Sequence, residues 1–290
     1  MSLILVKLGG SVITDKEQPN TLRPEVLKNL MSQIARARQT WSAAASDHQL
    51  VLAHGQGSFA HFPAKKYEIT AGLHRPDSVY GLAEVLDAVH TLNQLVVHES
   101  VQQQLPAVSW LASQAIIARG REFDQSWLTV LRGYLERGLI PVTTGDMVLD
   151  EAQGCAVWSG EKVLNYLAQV LAKPDSSDGG VNIAGKPQST PIAKFQTERV
   201  IQVGEVAGVL DTTGAVIPSI TPESWFKHQS AVTQTTRGVD VTGGMLQKVE
   251  ESLELLKTTG IETWIMGGLE PNNLFNALVG NKWVGTKVTK

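Results

Sequence analysis

The chain repeats one pattern: a short apolar run stops abruptly at glycine, and helical periodicity follows. Leu3 to Leu8 is such a run, closed by Gly9-Gly10. Gln49 to Ala53 is a second, closed by His54-Gly55-Gln56-Gly57. Ile140 to Val142 leads into Gly145-Asp146, and Thr263 to Met266 into Gly267-Gly268. Runs without polar alternation read as strands buried on both faces, which need helices above and below them. The intervening segments supply those helices. Leu27, Leu30 and Ile34 recur at helical spacing after Pro24. A long helix is predicted from about Asp77 to Gln104, with Leu82, Val85, Leu86, Val89, Leu92 and Val96 on one side. Asp124 is expected to N-cap a helix carrying Leu128, Leu131 and Leu135 that Gly138 ends. Further helices are expected at Glu161 to Leu171, after Gly243-Gly244, and from Asn272 to Leu278. Ala107 to Ser109 and Val200 to Val203 read as strands, and Met147 to Trp158 as an antiparallel excursion around Gln153-Gly154. Alternating strands and helices predict an α/β fold with a largely parallel sheet.

Composition narrows the class. At 290 residues, the chain is one large domain or two small ones. Its single cysteine, Cys155, excludes a disulfide framework, and no Cys/His pair has zinc-ligand spacing, so no protein-held metal site is expected. No apolar run approaches the roughly 20 residues of a membrane span. The start, Met1 to Lys7, lacks the basic and apolar regions of a secretory signal. A net charge of -3 gives no drive toward nucleic acid. A soluble cytoplasmic enzyme without nucleic-acid or membrane partners is expected. Lys173 to Lys194 has no apolar period and reads as an exposed loop.

Three of the glycine turns can hold anions. Lys7-Leu8-Gly9-Gly10-Ser11 opens a loop at a strand end, where glycines let backbone N–H groups approach an anion and the lysine adds charge. It is not a Walker A motif, because the lysine precedes the glycines. His54 to His61 fits Gly-x-Gly-x-x-Ala, a dinucleotide fingerprint, only superficially: Asp77, near the required distance, begins a helical segment. A phosphate cradle with His61 reaching over it fits better. In Asp240 to Lys248, glycines meet a helix N-terminus, and Lys248 lies one turn past Gly244. Each turn alone has an ordinary structural reading, as a glycine turn or a helix entry. Together, with Lys7, Lys16 and Lys248 nearby, they supply the positioning and charge neutralisation that phosphoryl transfer requires.

These residues resemble the amino acid kinase superfamily, and within it the isopentenyl phosphate kinase branch. The opening from Lys7 to Lys16, the segment His54 to His61 with Pro63 to Tyr67, Pro141 to Asp146 with Val148 and Asp150, and Asp240 to Lys248 carry the resemblance. Asn272-Asn273, Ala277-Leu278 and Gly285-Thr286 extend it to the end of the chain. The second histidine, His61, points to this branch over the acetylglutamate and aspartate kinases. The resemblance implies a three-layer αβα sandwich in a single domain. Residues 1–172 would form an acceptor lobe, 199–290 an ATP lobe, and 173–198 an inserted loop. It implies ATP and Mg2+ as cofactors, a small-molecule phosphate as acceptor, and a homodimer. Lys7, Gly9, Gly10 and Ser11 would hold the ATP phosphates, and Lys16 would stabilise the transferring group. Gly55, Gln56 and Gly57 would cradle the acceptor phosphate, with His61 bonded to it and Asp146 and Gly160 close by. Gly244, Lys248 and Glu205 would contact the nucleotide, and Glu161 would stand where the family has an aspartate organising the lysines. The isoprenoid tail would lie in an apolar pocket lined by the long helix.

The chain also departs from the pattern. Gln56 and Ala60 stand where glycine is usual, and Ser-Gly-Asp-Asp becomes Ser159-Gly160-Glu161-Lys162. Thr-Asp-Val-Asp-Gly becomes Gly204-Glu205-Val206-Ala207-Gly208. Three alternatives stay open on sequence alone. One is a kinase for another phosphate or a phosphonate, like the fosfomycin-resistance kinases. Another is a non-catalytic nucleotide- or anion-binding relative. A dinucleotide oxidoreductase ranks last, because it leaves Lys7, Lys16 and Lys248 without a role.

Overall fold

The computed structural model describes residues 1–171, 195–236 and 244–290. The expected 173–194 loop and the stretch Asp240 to Gly243 lie outside the described residues. In chain order the elements are β1 (Ser2–Leu8), α1 (Gly10–Ile13), α2 (Pro24–Ala43), β2 (Gln49–His54), α3 (Gly57–Lys66), α4 (Ser78–Gln102), β3 (Ala107–Ser109), β4 (Ile116–Arg119) and β5 (Glu122–Ser126). Then come α5 (Thr129–Glu136), β6 (Ile140–Thr144), β7 (Asp146–Asp150), β8 (Gly154–Trp158), α6 (Gly160–Leu171), β9 (Gln196–Gly204), β10 (Ser219–Ile220) and α7 (Pro222–Thr236). The last are α8 (Gly244–Thr259), β11 (Glu262–Gly267), α9 (Asn273–Val279) and β12 (Thr286–Val288).

The main sheet runs β10-β12-β11-β9-β1-β2-β6-β3. Its neighbouring pairs are parallel, except that β12 runs against β11. Period-two alternation explains the layers. From β1, Ile4, Val6 and Leu8 enter one core with Leu27, Leu30 and Ile34 of α2, Leu92 and Val96 of α4, and Leu274 of α9. Leu3 and Leu5 enter the other with Leu131 of α5, Leu164 and Leu167 of α6, and Leu255 of α8. Helices thus cover both faces of a mainly parallel sheet, as a three-layer αβα sandwich requires. Strands from both halves of the sequence lie in it, because β9 pairs with β1 along its length.

A smaller sheet, β5-β4-β7-β8, includes the expected antiparallel excursion. Two expectations are corrected here. Asp124 does not cap a helix: it lies in β5, 3.5 Å from Arg119 across a hairpin, and Leu128 occupies the N-cap of α5. The hairpin turns at Gly120 and Arg121, both with positive φ. Residues 196–198, assigned to the inserted loop, open β9, where they pair with the start of β1.

The chain leaves β1 toward β2 through α2 on one face. It returns to β9 on the other flank of β1, and α8 then covers the opposite face. That reversal makes the carboxyl end of β1 a topological switch point, the place where open α/β sheets form a crevice for ligands.

Candidate active site

The site is built on strand ends that the backbone ties level. Gly9 donates its N–H to Val203 O at 2.7 Å, Gly55 to Leu8 O at 2.9 Å, Gly145 to His54 O at 3.1 Å, and Gly268 to Gly204 O at 2.9 Å. Each glycine extends the ladder one step beyond its strand. This refines the expected phosphate contacts, since the N–H groups of Gly9 and Gly55 are already engaged. Those of Gly10, Ser11, Gln56 and Gly57 have no protein acceptor among the described residues. The Gln56 side-chain nitrogen is likewise buried without one.

The two glycine loops touch backbone to backbone. A Cβ on Gly10 would sit 2.4 Å from Gly57 N, and one on Gly55 would sit 2.6 Å from Gly10 N. No side chain fits between them. Gly57 also has φ +55, where its own Cβ would strike Thr14. Thr14, fully buried, fastens the pair: its hydroxyl donates to Gly10 O at 2.7 Å and accepts the Ser58 N–H at 3.0 Å. Two anions held by these loops would therefore be neighbours.

Cations surround the loops. Lys7, at the end of β1, is buried and bonded to Glu161 at the start of α6. Gly160 leaves room for it: a Cβ there would be 3.3 Å from Lys7 Cε and 2.9 Å from His54 O. Gly160 thus serves by its size, packed under the lysine. Lys248 approaches the same Glu161 oxygen at 3.9 Å, from one turn into α8. Burial pushes the Glu161 carboxyl up, but the two lysine charges and the Lys7 hydrogen bond outweigh it and hold it at about 2. Lys16 lies 3.5 Å from Glu205, whose other oxygen is 3.1 Å from Arg23. Arg23 at the start of α2 is thus a further cation that sequence reasoning missed. Lys162 turns outward to Arg121 O and Glu122, over the Trp158 ring, so the reversed charge does not face Lys7.

On the acceptor side, His61 is exposed, one turn along α3 from Gly57. Asp146 is engaged by the protein itself. It is fully buried, accepts the N–H groups of Ser113 and Met147 at 2.9 Å, and lies 3.8 Å from His90. Burial raises its pKa, and its role is to anchor the turn after β3. Val85 and Val89 of α4 pack with Ala60, Tyr67, Ile69, Met147 and Cys155 in an apolar cluster. This is the flank where the tail pocket was expected. The open depression along α4 is on another side, lined by Asp87, His90, Thr91, Gln94, Leu95 and His98.

The family model for the amino acid kinase family matches residues 2–174. The chain belongs to the amino acid kinase family. The isopentenyl phosphate kinase of Methanothermobacter thermautotrophicus is 31% identical over 295 residues, covering 99% of each chain. That of Methanocaldococcus jannaschii is 25% identical, covering 96% of this chain and 95% of its own. Among solved structures, an isopentenyl phosphate kinase superposes with a TM-score of 0.74 at 26% identity, covering 99% of this chain and 100% of its own. Acetylglutamate kinases of the same family match over shorter stretches, as in Campylobacter curvus at 26% over 55% of this chain. The fold expected from the motifs is therefore the observed one. As a member of this family, the chain is an ATP-dependent phosphotransferase.

Proposed function

We propose that this kinase transfers the γ-phosphoryl group of ATP to isopentenyl phosphate, giving isopentenyl diphosphate and ADP. The observation that carries the reading is the contact between the Gly10 and Gly55–Gly57 backbones, which would bring two phosphates side by side if each loop held one. Similarity to isopentenyl phosphate kinases along nearly the whole chain supports the acceptor.

In this reading Gly10 and Ser11 donate backbone N–H groups to the ATP phosphates, with Lys7 and Lys248 adding charge. Gln56 and Gly57 donate to the acceptor phosphate, and His61 bonds it from α3. An acceptor oxygen, already ionised, bonds to Pγ while the Pγ–O bond to ADP breaks, so no strong general base is needed. Lys16, released from Glu205, neutralises charge on the transferring group. Glu161, between the two ammonium groups, offsets their repulsion and holds Lys7 and Lys248 at one point. Among the described residues, no cluster of His, Cys, Asp or Glu is placed to hold a metal, so Mg2+ would enter bound to the nucleotide phosphates. Residues 1–172 would supply the acceptor side together with the Lys7–Ser11 loop that meets the ATP phosphates, and residues 199–290 the rest of the nucleotide side, in a homodimer that sedimentation would test.

The deciding experiment offers the purified protein Mg-ATP and a panel of phosphate acceptors. Conversion of isopentenyl phosphate to the diphosphate is expected. Turnover of a phosphonate without turnover of isopentenyl phosphate would overturn the assignment.

A further inference from the structure

His54, the last residue of β2, is fully buried directly beneath the acceptor loop and takes no part in the chemistry described above. Its surroundings determine its tautomer from both sides. Asn93 of α4 accepts from Ser109 Oγ through Oδ1 at 2.6 Å and donates from Nδ2 to Val142 O at 3.4 Å. That fixes which way the amide points, since a flipped amide would set Oδ1 and Val142 O, two acceptors, against each other and would need the His54 proton on Nε2, leaving Nδ1 bare against Gly55 O. The same Nδ2 lies 3.2 Å from His54 Nε2, so Nε2 is the acceptor of that contact. The proton then sits on Nδ1, which is 3.0 Å from Gly55 O and 3.3 Å from Thr144 Oγ1. The Thr144 hydroxyl donates to Gly145 O, leaving its lone pair for Nδ1–H. Every donor finds an acceptor, and a second ring proton would meet the Asn93 N–H2.

The Gly55 carbonyl is thereby held down toward the core. In a trans peptide the N–H points opposite to the C=O, so the Gln56 N–H must point up, away from the sheet and toward the crevice. We propose that His54, held in one tautomer by Asn93, is a positioning residue that aims the Gln56 N–H at the acceptor phosphate. The proposal rests on the acceptor site read above, and it assigns a buried histidine and an α4 asparagine to acceptor binding.

The test compares His54→Gln, His54→Asn and Asn93→Leu in the intact enzyme. Asn carries its amide nitrogen near the position of imidazole Nδ1 and can still donate to Gly55 O. Gln places its polar end near Nε2 and cannot. We expect H54Q to raise the KM for isopentenyl phosphate about tenfold, with the KM for ATP within about twofold. N93L should move the acceptor KM in the same direction by a smaller factor. H54N should recover most of the loss. Amide hydrogen exchange over residues 54–60 should quicken in H54Q and N93L but not in H54N, a readout independent of turnover. A folded H54Q with unchanged acceptor KM and unchanged exchange overturns the proposal. So does equal loss in H54N and H54Q, which marks a packing role only. Wild-type protein inactive on isopentenyl phosphate would sink the substrate assignment instead, and the exchange pattern would still decide the role of His54.

Discussion

Glu161 carries two cations on one carboxylate, and that arrangement sets what its loss should do. The Lys7 ammonium is buried, so removing its partner's charge leaves it free to drift from the crevice toward any acceptor. Glu161→Gln should lower kcat about 10²-fold while ATP still binds. Glu161→Asp keeps the charge and should lose less; turnover and calorimetry on the pair check this, and equal losses would remove the charge argument. His54 makes a second prediction, on stability. Burial, with Lys7 nearby as the charged neighbour, lowers its pKa from 6.5 to about 4, against the opposing Gly55 hydrogen bond. The unfolded chain therefore binds a proton that the folded chain refuses between those values. Its contribution is fully present above about pH 6.5 and is lost as the pH falls toward 4, by roughly 3 kcal/mol. Denaturation from pH 7 to 4 should show this fall, and H54N should flatten it. Lys7 and Lys248 drew notice in sequence because each lies beside an anion-competent glycine turn, whereas Glu161, which the structure places against both, entered only through the family resemblance. His54 was not legible, because its value lies in partners from α4, β3 and β6, which no local spacing reveals. Asp146, which the family resemblance set close to the acceptor phosphate, is buried and occupied by two N–H donors, of which Ser113 is again a partner distant in sequence.

The short helices α1 and α3 act as one unit because Thr14 joins them. Thr14→Val keeps the volume and removes the hydroxyl, leaving a buried Ser58 N–H unpaired at a cost of about 1–3 kcal/mol. The KM values for both ATP and acceptor should rise, since one staple holds both loops, whereas Thr14→Ser should restore them. A rise confined to one substrate would show that the loops move independently. Gly10→Ala is harsher, because its Cβ would overlap Gly57 backbone and the loops would have to part. Most strands and long helices were legible because burial of both sheet faces writes continuous apolar runs, and amphipathic helices write a 3.6-residue period. The α3 helix was hidden: it begins at a glycine with positive φ and contains Pro63, so its sequence reads as loop. The β4–β5 hairpin was hidden too. Glu122 to Ser126 carries a single apolar side chain, the exposed Phe123, and only the turn at Gly120-Arg121 signals it. Asp124 then looked like a cap.

At the scale of the molecule, the crevice exists because acceptor-side and nucleotide-side strands share one sheet. The register runs unbroken through hydrogen-bonded neighbours from β6 through β2, β1 and β9 to β11, with one bulge between Leu3 and Ile4. The Lys16–Glu205–Arg23 contacts add a second tie, from the segments after α1 to the end of β9. A chain of 290 residues is long enough that stepwise unfolding of two halves would be the ordinary expectation. Here the halves cannot part without stripping β9 from β1, which exposes a strand buried on both faces. Far-UV circular dichroism and tryptophan fluorescence should therefore report one coincident transition in urea. Amides of β2 and β11 should exchange through the same global opening. A nonhydrolysable ATP analogue should move the whole transition, acceptor-side strands included, by the linkage of binding to folding. Two separated transitions, or protection of β11 by the analogue without protection of β2, would mean that the shared sheet does not couple the two phosphate sites, and that their alignment depends on the glycine loops alone.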